Sequence, residues 1–364
     1  MPAALIPAAG LSSRMGRYKP LLPLGRTTMI ETVIDLFKAA GIREIIVVTG
    51  HNHDQLAGTV EAAGARPLFN ADYASGMFSS IRNGVATLSS GIEGFFLLPA
   101  DIPAIRPATL NFIRRKFEAA KDSLIVPAFN GQTGHPPLIP ARLIPLITGA
   151  DPDANLRRIL FSDPSRIIQL PVHDRGILMD ADTPEGYEQI KQKYERLEIP
   201  DEAECRSIID RELPDAPAIR AHLHQVCDTA LTLARALHLC GLDFDTDIIR
   251  AGALLHDIKR KEAHHAEAGS RFLQELGFQK IADVTAVHMD LTPGPELDET
   301  QIVFFADKLC RGDQLELDYS GRLHEKARCL PHAEKEIFKR LETAQHIHAR
   351  IESAVGRSLR EILG

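Results

Sequence analysis

The chain has 364 residues, 44% hydrophobic and 25% charged, with a net charge of −7 from 42 basic and 49 acidic side chains. Such a length accommodates two cores of ordinary size, and the composition excludes a disordered chain. The acidic balance argues against a protein that coats nucleic acid, and no apolar run approaches the roughly 18 residues that span a bilayer, so the cytoplasm is the expected location, with neither nucleic acid nor membrane as a partner.

The first apolar run, 5–8, is short and lacks a basic leader, so it reads as a buried strand and not as a signal peptide. Further runs at 44–48, 66–69, 95–99, 124–127 and 167–170 alternate with amphipathic stretches around 28–40, 53–63, 77–89 and 107–120. This alternation predicts an α/β fold, Rossmann-like, with a mostly parallel sheet. A helix opening at Thr183-Pro184 and running through Tyr194 is broken at Ile199-Pro200-Asp201, which divides the chain into domains 1–197 and 198–364. Beyond the boundary, helical patterns around 202–212, 217–240, 246–260, 264–276, 279–289, 299–310 and 332–355 predict an all-α domain. The last presents Ile337, Leu341, Ala344, Ile347, Ile351 and Val355 on one face, fit to cover this domain or another chain. His346 and His348 beside it read as surface residues. The five cysteines form no C-x-x-C pair and read as reduced structural thiols.

Two segments of the first domain carry chemistry. After the first strand, residues 7–19 are rich in small side chains and include Arg14 and Lys19. Backbone N–H groups of such a loop can approach phosphate oxygens at the strand end where open α/β sheets bind ligands, and the two cations add positive charge. The spacing is neither a Walker A loop nor a G-x-G-x-x-G loop, and a plain surface loop is the alternative. The run 95–99 delivers Asp101 at its C-terminal end. A carboxylate there either holds Mg²⁺ against a phosphate or caps the following turn.

The string Ala8-Ala9-Gly10-x-Ser12-x-Arg14-Met15-Gly16-x-x-Lys19 resembles the signature of the MobA-like nucleotidyltransferases, most closely the molybdenum-cofactor cytidylyltransferases. The resemblance covers residues 1–195. It implies that Ala8, Ala9, Gly10 and Ser12 wrap a triphosphate, that Arg14 and Lys19 neutralise the departing pyrophosphate, and that Asp101 is a Mg²⁺ ligand. Met179-Asp180-Ala181-Asp182-Thr183-Pro184 is similar to the family's D-x-D-T-P, whose implied second ligand is Asp182 in preference to Asp180. Asp182 and Thr183 also both suit the N-cap of the helix that follows. Asn70-x-x-Tyr73-x-x-Gly76-Met77-x-Ser79-Ser80 resembles the stretch that sets the nucleotide and acceptor pocket, making Asn70, Gly76, Ser79 and Ser80 nucleotide-binding candidates. The composition after Gly76 resembles the cytidine-using side, so CTP is expected over GTP. Gly134-His135-Pro136 resembles the loop facing the pterin, with His135 a positioning residue at most.

The implied reaction is attack by the phosphate of a molybdenum-loaded molybdopterin on the α-phosphorus of a nucleoside triphosphate, with release of pyrophosphate. The protein contributes charge and alignment. A sugar or alditol phosphate is the alternative acceptor. Maturation proteins for molybdenum enzymes and a second copy of the chain complete the candidate partners.

Of 15 histidines, 11 follow residue 200, which points to a metal site there. His256-Asp257 closes an apolar helix, and neighbouring helical side chains diverge by about 100°, so both reach one ion only from the edge of that face. His222, then His256 with Asp257, then Asp307 follow the ligand order of the HD superfamily, which residues 205–325 resemble. In that family the first ligand precedes a core residue by four, which selects His222, before Val226, over His224. His265 and His288 resemble the extra histidines of two-metal members. The resemblance implies Mn²⁺, Fe²⁺ or Mg²⁺ holding a water for phosphate hydrolysis. Lys259, Arg260 and Lys261 either meet that phosphate or form a solvated basic helix end. A nucleotide sensor that gates the transferase without hydrolysis is the rival expectation, since covalent linkage raises effective concentration for a regulator as well as for an enzyme.

Overall fold

The computed structural model describes residues 1–10 and 17–364; Ser12 and Arg14 lie outside them. The chain divides into two compact units, Met1–Leu197 and Glu198–Gly364.

The first unit opens with β1 (Ala3–Pro7) and a short hairpin of β2 (Pro23–Leu24) and β3 (Thr27–Thr28). There follow α1 (Met29–Ala39), β4 (Ile45–Thr49), α2 (His53–Ala62), β5 (Arg66–Phe69), α3 (Met77–Val85), β6 (Gly94–Leu97) and α4 (Pro107–Glu118). The unit closes with β7 (Leu124–Phe129), β8 (Gln132–Thr133), β9 (Leu138–Pro140), α5 (Ile144–Thr148), α6 (Leu156–Leu160), β10 (Ile167–Pro171) and α7 (Pro184–Glu195). The main sheet has the order β10-β7-β9-β6-β1-β4-β5, with β8 paired to β7. Neighbours β6, β1, β4 and β5 are parallel, as are β7 and β10. Every residue of β1 and β4 is buried, as expected of strands covered on both faces. Leu5 pairs with Ile46 on one side and Leu97 on the other, so the loops after these three strands leave from one edge of the sheet.

The sheet has two strands more than the six that the apolar runs predict. Strand β9 is antiparallel to β6 and β7. Only residues 130–137 connect β7 to β9, too few for the dozen or so that a parallel crossover needs. Helix α1 starts at a capping box in which Thr28 and Glu31 satisfy each other's backbone N–H groups.

The second unit is helical: α8 (Glu202–Glu212), α9 (Pro217–His238), α10 (Thr246–Leu255), α11 (His265–Glu275), α12 (Gln279–Val287), α13 (Glu299–Leu309), α14 (Tyr319–Cys329), α15 (Glu334–Val355) and α16 (Leu359–Leu363). One ribbon, β11 (Cys310–Arg311) with β12 (Gln314–Leu315), interrupts it. The expected helix over 299–310 stops at Leu309 because Cys310 pairs with Leu315. The expected helix over 246–260 stops at Leu255, leaving His256 as its C-cap and Asp257 in the turn beyond. Leu223, Val226, Ala230, Leu233 and Leu237 of α9 share a core with Ile337, Leu341, Ala344, Ile347 and Ile351 of α15. The tail helix therefore covers its own unit. His348 is not a free surface residue: its Nδ1 lies 2.9 Å from the Tyr319 hydroxyl and its ring stacks on Phe305. No helix of the described residues is long and apolar enough to cross a membrane.

Candidate active sites

In the first unit the phosphate-loop candidate begins where β1 ends. Ala8 donates its N–H to the Val48 carbonyl, and Ala8 and Ala9 are buried while Gly10 is exposed. The Tyr18 hydroxyl donates to the His51 carbonyl at 3.0 Å and approaches the Ala8 carbonyl at 3.4 Å, which holds residue 18 beside the end of β1. Burial pushes the Tyr18 phenol up to about 12, so it stays a donor at neutral pH. Only adjacency to Lys19 in the motif could have pointed to Tyr18 from sequence.

Lys19 comes to lie between two carboxylates from distant segments. Its Nζ is 2.7 Å from Asp182 Oδ1 and 3.3 Å from Asp101 Oδ2. Burial pulls the ammonium down, but hydrogen bonds and charge from Asp182 and Asp101 outweigh it and raise Lys19 above the usual lysine value. The two acidic segments are joined by their backbones, because Ala181 N–H donates to the Asp101 carbonyl at 3.0 Å. Thr183 is the side chain that caps α7, accepting from Gly186 N–H at 3.1 Å, which leaves Asp182 to turn inward. Among the described residues no backbone N–H is bonded to the Asp101 carboxylate, so it does not cap the following turn. Two carboxylates drawn to one cation form an all-oxygen donor set, the kind that suits Mg²⁺.

Asn70, Ser79 and Ser80 form a brace. The buried Asn70 donates from Nδ2 to Ser79 Oγ and Ser80 Oγ, each at 3.0 Å, and accepts from Asp72 N–H at 3.1 Å. With its side-chain groups so engaged, Asn70 sets the start of α3 against the end of β5. Gly76, with φ +96°, makes the turn into that helix in a conformation that favours glycine. His135 donates its backbone N–H to the Ile177 carbonyl, and burial holds its imidazole below the usual histidine value.

In the second unit five helices and a turn converge. His222 of α9 has Nε2 3.1 Å from Asp307 Oδ1 of α13, and His256 Nε2 is 3.6 Å from the same oxygen. Asp257 faces both ways: Oδ1 lies 3.2 Å from His265 Nε2 and 3.3 Å from His288 Nε2, and Oδ2 lies 3.7 Å from His256 Nε2. Two trios result, His222, His256 and Asp307, and Asp257, His265 and His288, each with ligating atoms within 4.8 Å of one another. Outer bonds orient the rings. His256 Nδ1 reaches the Ala253 carbonyl at 2.8 Å, His288 Nδ1 the Thr285 carbonyl at 2.7 Å, and His222 Nδ1 the Gly312 carbonyl at 3.1 Å. Each contact holds Nε2 toward the centre, as metal-binding imidazoles require.

The inward atoms are unsatisfied within the protein. His256 Nε2, His265 Nε2, His288 Nε2 and Asp257 Oδ1 are buried without a hydrogen bond of good geometry, an arrangement that costs stability unless a cation completes it. Burial pushes the Asp257 and Asp307 carboxyls up, but the histidines, and at Asp307 the Lys308 ammonium, outweigh it and hold both well below the ordinary carboxylate range. The mixed nitrogen and oxygen set fits Mn²⁺ or Fe²⁺. His224 is exposed. Of the basic run after Asp257, Lys259 pairs with Glu212 at 2.8 Å, while Arg260 hydrogen-bonds Asp257 and lines the cavity over the centre.

Comparison with known proteins matches residues 4–167 to the MobA-like NTP transferase domain and residues 219–312 to the HD domain. Among curated proteins, the molybdenum cofactor cytidylyltransferase of Escherichia coli is 29% identical over 194 residues, covering 53% of this chain and 97% of that protein. The purine catabolism protein PucB of Bacillus subtilis is 28% identical over 194 residues, covering 51% and 93%. Among solved structures, a nucleotidyl transferase from Methanothermobacter thermautotroptrophicus aligns with a TM-score of 0.48 at 26% identity, covering 54% of this chain and 99% of that one.

Proposed function

For a chain that carries a MobA-like NTP transferase domain followed by an HD domain, we propose that the first half transfers CMP from CTP to the phosphate of a molybdenum-loaded molybdopterin and that the second half is a metal-dependent phosphohydrolase. The first half is a nucleotidyltransferase of the MobA-like class. The observation that carries its mechanism is the position of Lys19 between Asp101 and Asp182 beside the loop that leaves β1. Asp101 and Asp182 would hold Mg²⁺, which supplies Lewis-acid polarisation of the α-phosphate and a template for in-line attack. Lys19 then turns its charge to the leaving pyrophosphate, joined by Arg14 from the loop with Ala8, Ala9, Gly10 and Ser12. The brace of Asn70, Ser79 and Ser80 keeps the α3 end of the pocket aligned for nucleotide and acceptor, and alignment is a large part of what such a reaction needs.

The acceptor and base rest on the motif composition and on the cytidylyltransferase relative. A relative of nearly equal identity is named for purine catabolism, so identity alone does not select the acceptor. Labelled CTP and GTP offered with molybdopterin, sugar phosphates and alditol phosphates decide the matter. Product formed only with a sugar or alditol phosphate sinks the pterin assignment.

Hydrolysis in the second half is supported by the unsatisfied ring nitrogens and carboxylate oxygen that face one another. His222, His256 and Asp307 would hold one ion and Asp257, His265 and His288 a second, and such ions would supply an activated water at neutral pH. A phosphatase panel with Mn²⁺-loaded protein and Asp257→Ala separates this from the sensor reading. Nucleotide binding with no turnover of any phosphate ester or anhydride favours the sensor.

A further inference from the structure

The HD centre opens into a cavity of about 380 Å³ that His222, Asp257 and Asp307 share with six cationic side chains, Arg260, Lys308, Arg311, Arg322, Lys326 and Arg340. Two of the six are committed to the centre's own carboxylates: Lys308 Nζ is 2.5 Å from Asp307 Oδ2, and Arg260 hydrogen-bonds Asp257 Oδ2. Three others come from the far wall. Arg322 and Lys326, four residues apart, share a face of α14, and Arg340 stands on α15. Arg322 is fixed by the Cys310 carbonyl at 2.9 Å and the Lys308 carbonyl, and Arg340 Nε lies 3.5 Å from Asp290.

Lys326, like Arg311, has no side-chain hydrogen bond or ion pair among the described residues. Lys326 is an exposed residue that reaches the cavity, where partial desolvation, and then the positive charge of Arg340, Lys308, Arg260 and Arg322, push its ammonium below the usual lysine value. Arg260, Lys308, Arg322 and Arg340 each have a carboxylate beside them, Asp257, Asp307, Glu316 and Asp290, which leaves the Lys326 ammonium as a charge that an anion from outside can meet. Arg322, Lys326 and Arg340 all lie beyond residue 312, where the HD match ends.

We propose that α14 and α15 supply a second phosphate subsite, so that the HD half takes a substrate with two linked phosphates, one at the His and Asp centre and the other on Lys326, Arg322 and Arg340. The inference rests on the hydrolytic reading of the centre. A cavity of about 380 Å³ falls within the range of small-molecule sites and is larger than one phosphate needs. Hydrolysis of such an anhydride forms a bond from the water oxygen to the outer phosphorus and breaks the bond from that phosphorus to the bridging oxygen. The bridging oxygen leaves on the inner phosphate, whose growing negative charge the far wall meets, and the proton of the water passes to solvent or a released phosphate. Inorganic pyrophosphate, which nucleotidyl transfer releases, is the smallest member of this class.

The test compares inorganic phosphate, inorganic pyrophosphate and ADP in calorimetric binding to the Mn²⁺-loaded full chain, with Lys326→Gln and Arg340→Gln beside the wild type. The component read is the one the variants change, so that pyrophosphate held by the transferase half does not enter. Turnover of p-nitrophenyl phosphate is measured in parallel. The expected result is about a tenfold loss of pyrophosphate and ADP affinity in each variant, with phosphate affinity and the KM for p-nitrophenyl phosphate unchanged. Equal losses for one-phosphate and two-phosphate ligands, or no loss at all, overturn the subsite. If no phosphate compound is hydrolysed but the selective loss is seen, the hydrolytic reading fails and the subsite stands; turnover without the selective loss gives the reverse.

Discussion

The Lys19 ammonium stands 2.7 Å from the Asp182 carboxylate, across 163 positions of sequence. Lys19 belongs to the glycine-containing loop motif and Asp182 to the segment before α7, so the fold brings the two ends of the first unit to one point. Removing the charge should slow transfer without unfolding the unit. Lys19→Met is expected to lower kcat/KM by about 10²- to 10³-fold, with Lys19→Arg retaining part of the activity. Steady-state pyrophosphate release measures it, and near wild-type transfer in Lys19→Met would remove the residue from the mechanism.

A second ion pair in the same unit is structural. Arg106 and Asp174 are almost wholly buried, with Nη1 to Oδ1 at 2.9 Å, and Asp174 also accepts from Arg106 N–H at 2.8 Å and from the Thr109 hydroxyl at 2.6 Å. Asp174→Ala leaves a guanidinium buried without its carboxylate, and a loss of about 3–5 kcal/mol is expected. Urea unfolding of the first unit reads it; a loss below about 1 kcal/mol would mean that relaxation rehydrates Arg106.

Metal content follows from the two trios. Full-chain protein loaded with Mn²⁺ and freed of excess should retain two ions. His265→Ala should retain one, and Asp257→Ala, which removes the carboxylate facing both trios, should retain neither tightly. Elemental analysis per chain gives the count, and two retained ions in His265→Ala would contradict the assignment.

The thiols divide by burial. Cys240 and Cys329 are exposed, while Cys205, Cys227 and Cys310 are buried, and burial pushes Cys227 and Cys310 up to about 11. At pH 8 a thiol reagent should react quickly with two cysteines and reach the other three only on unfolding. The sign of the pH dependence is fixed as well. A folded value raised above the ordinary one near 9 means that the native state binds the extra proton, so the stabilising contribution is intact below pH 9 and is lost as pH rises toward 11. Thermal unfolding of the second unit across that window should move steadily downward, and a flat profile would contradict the burial.

Apolar runs and chemical motifs were legible in the sequence where one residue type has one physical role. β1, β4 and β6 read as strands because both of their faces are buried, and Asp101 stands out because it follows such a run. Strands β8 and β9 did not show, since two or three residues beside Gly134 and two prolines give no period to detect. The competition between Asp182 and Thr183 for the cap could not be decided from sequence, because both side chains can accept the N–H bonds; in the structure Lys19 draws Asp182 away and Thr183 takes the cap. Helix α14 buries only Tyr319, Leu323 and Ala327, a stripe too sparse to announce a helix, and so its cations at 322 and 326 were not placed over the HD centre. The six histidine and aspartate positions of that centre were legible because their order in the chain is itself the pattern, whereas their division into two trios is a product of the fold.

We propose that the first half transfers nucleotides through Asp101, Asp182 and Lys19. It is tested most directly by mixing the full chain with Mg²⁺, molybdenum-loaded molybdopterin and CTP or GTP, then following nucleotide consumption and product mass beside Asp101→Ala. A cytidine dinucleotide of the pterin, formed by the wild type and lost in Asp101→Ala, is the predicted result. Equal product from wild type and variant, or no consumption of either nucleotide, would contradict it.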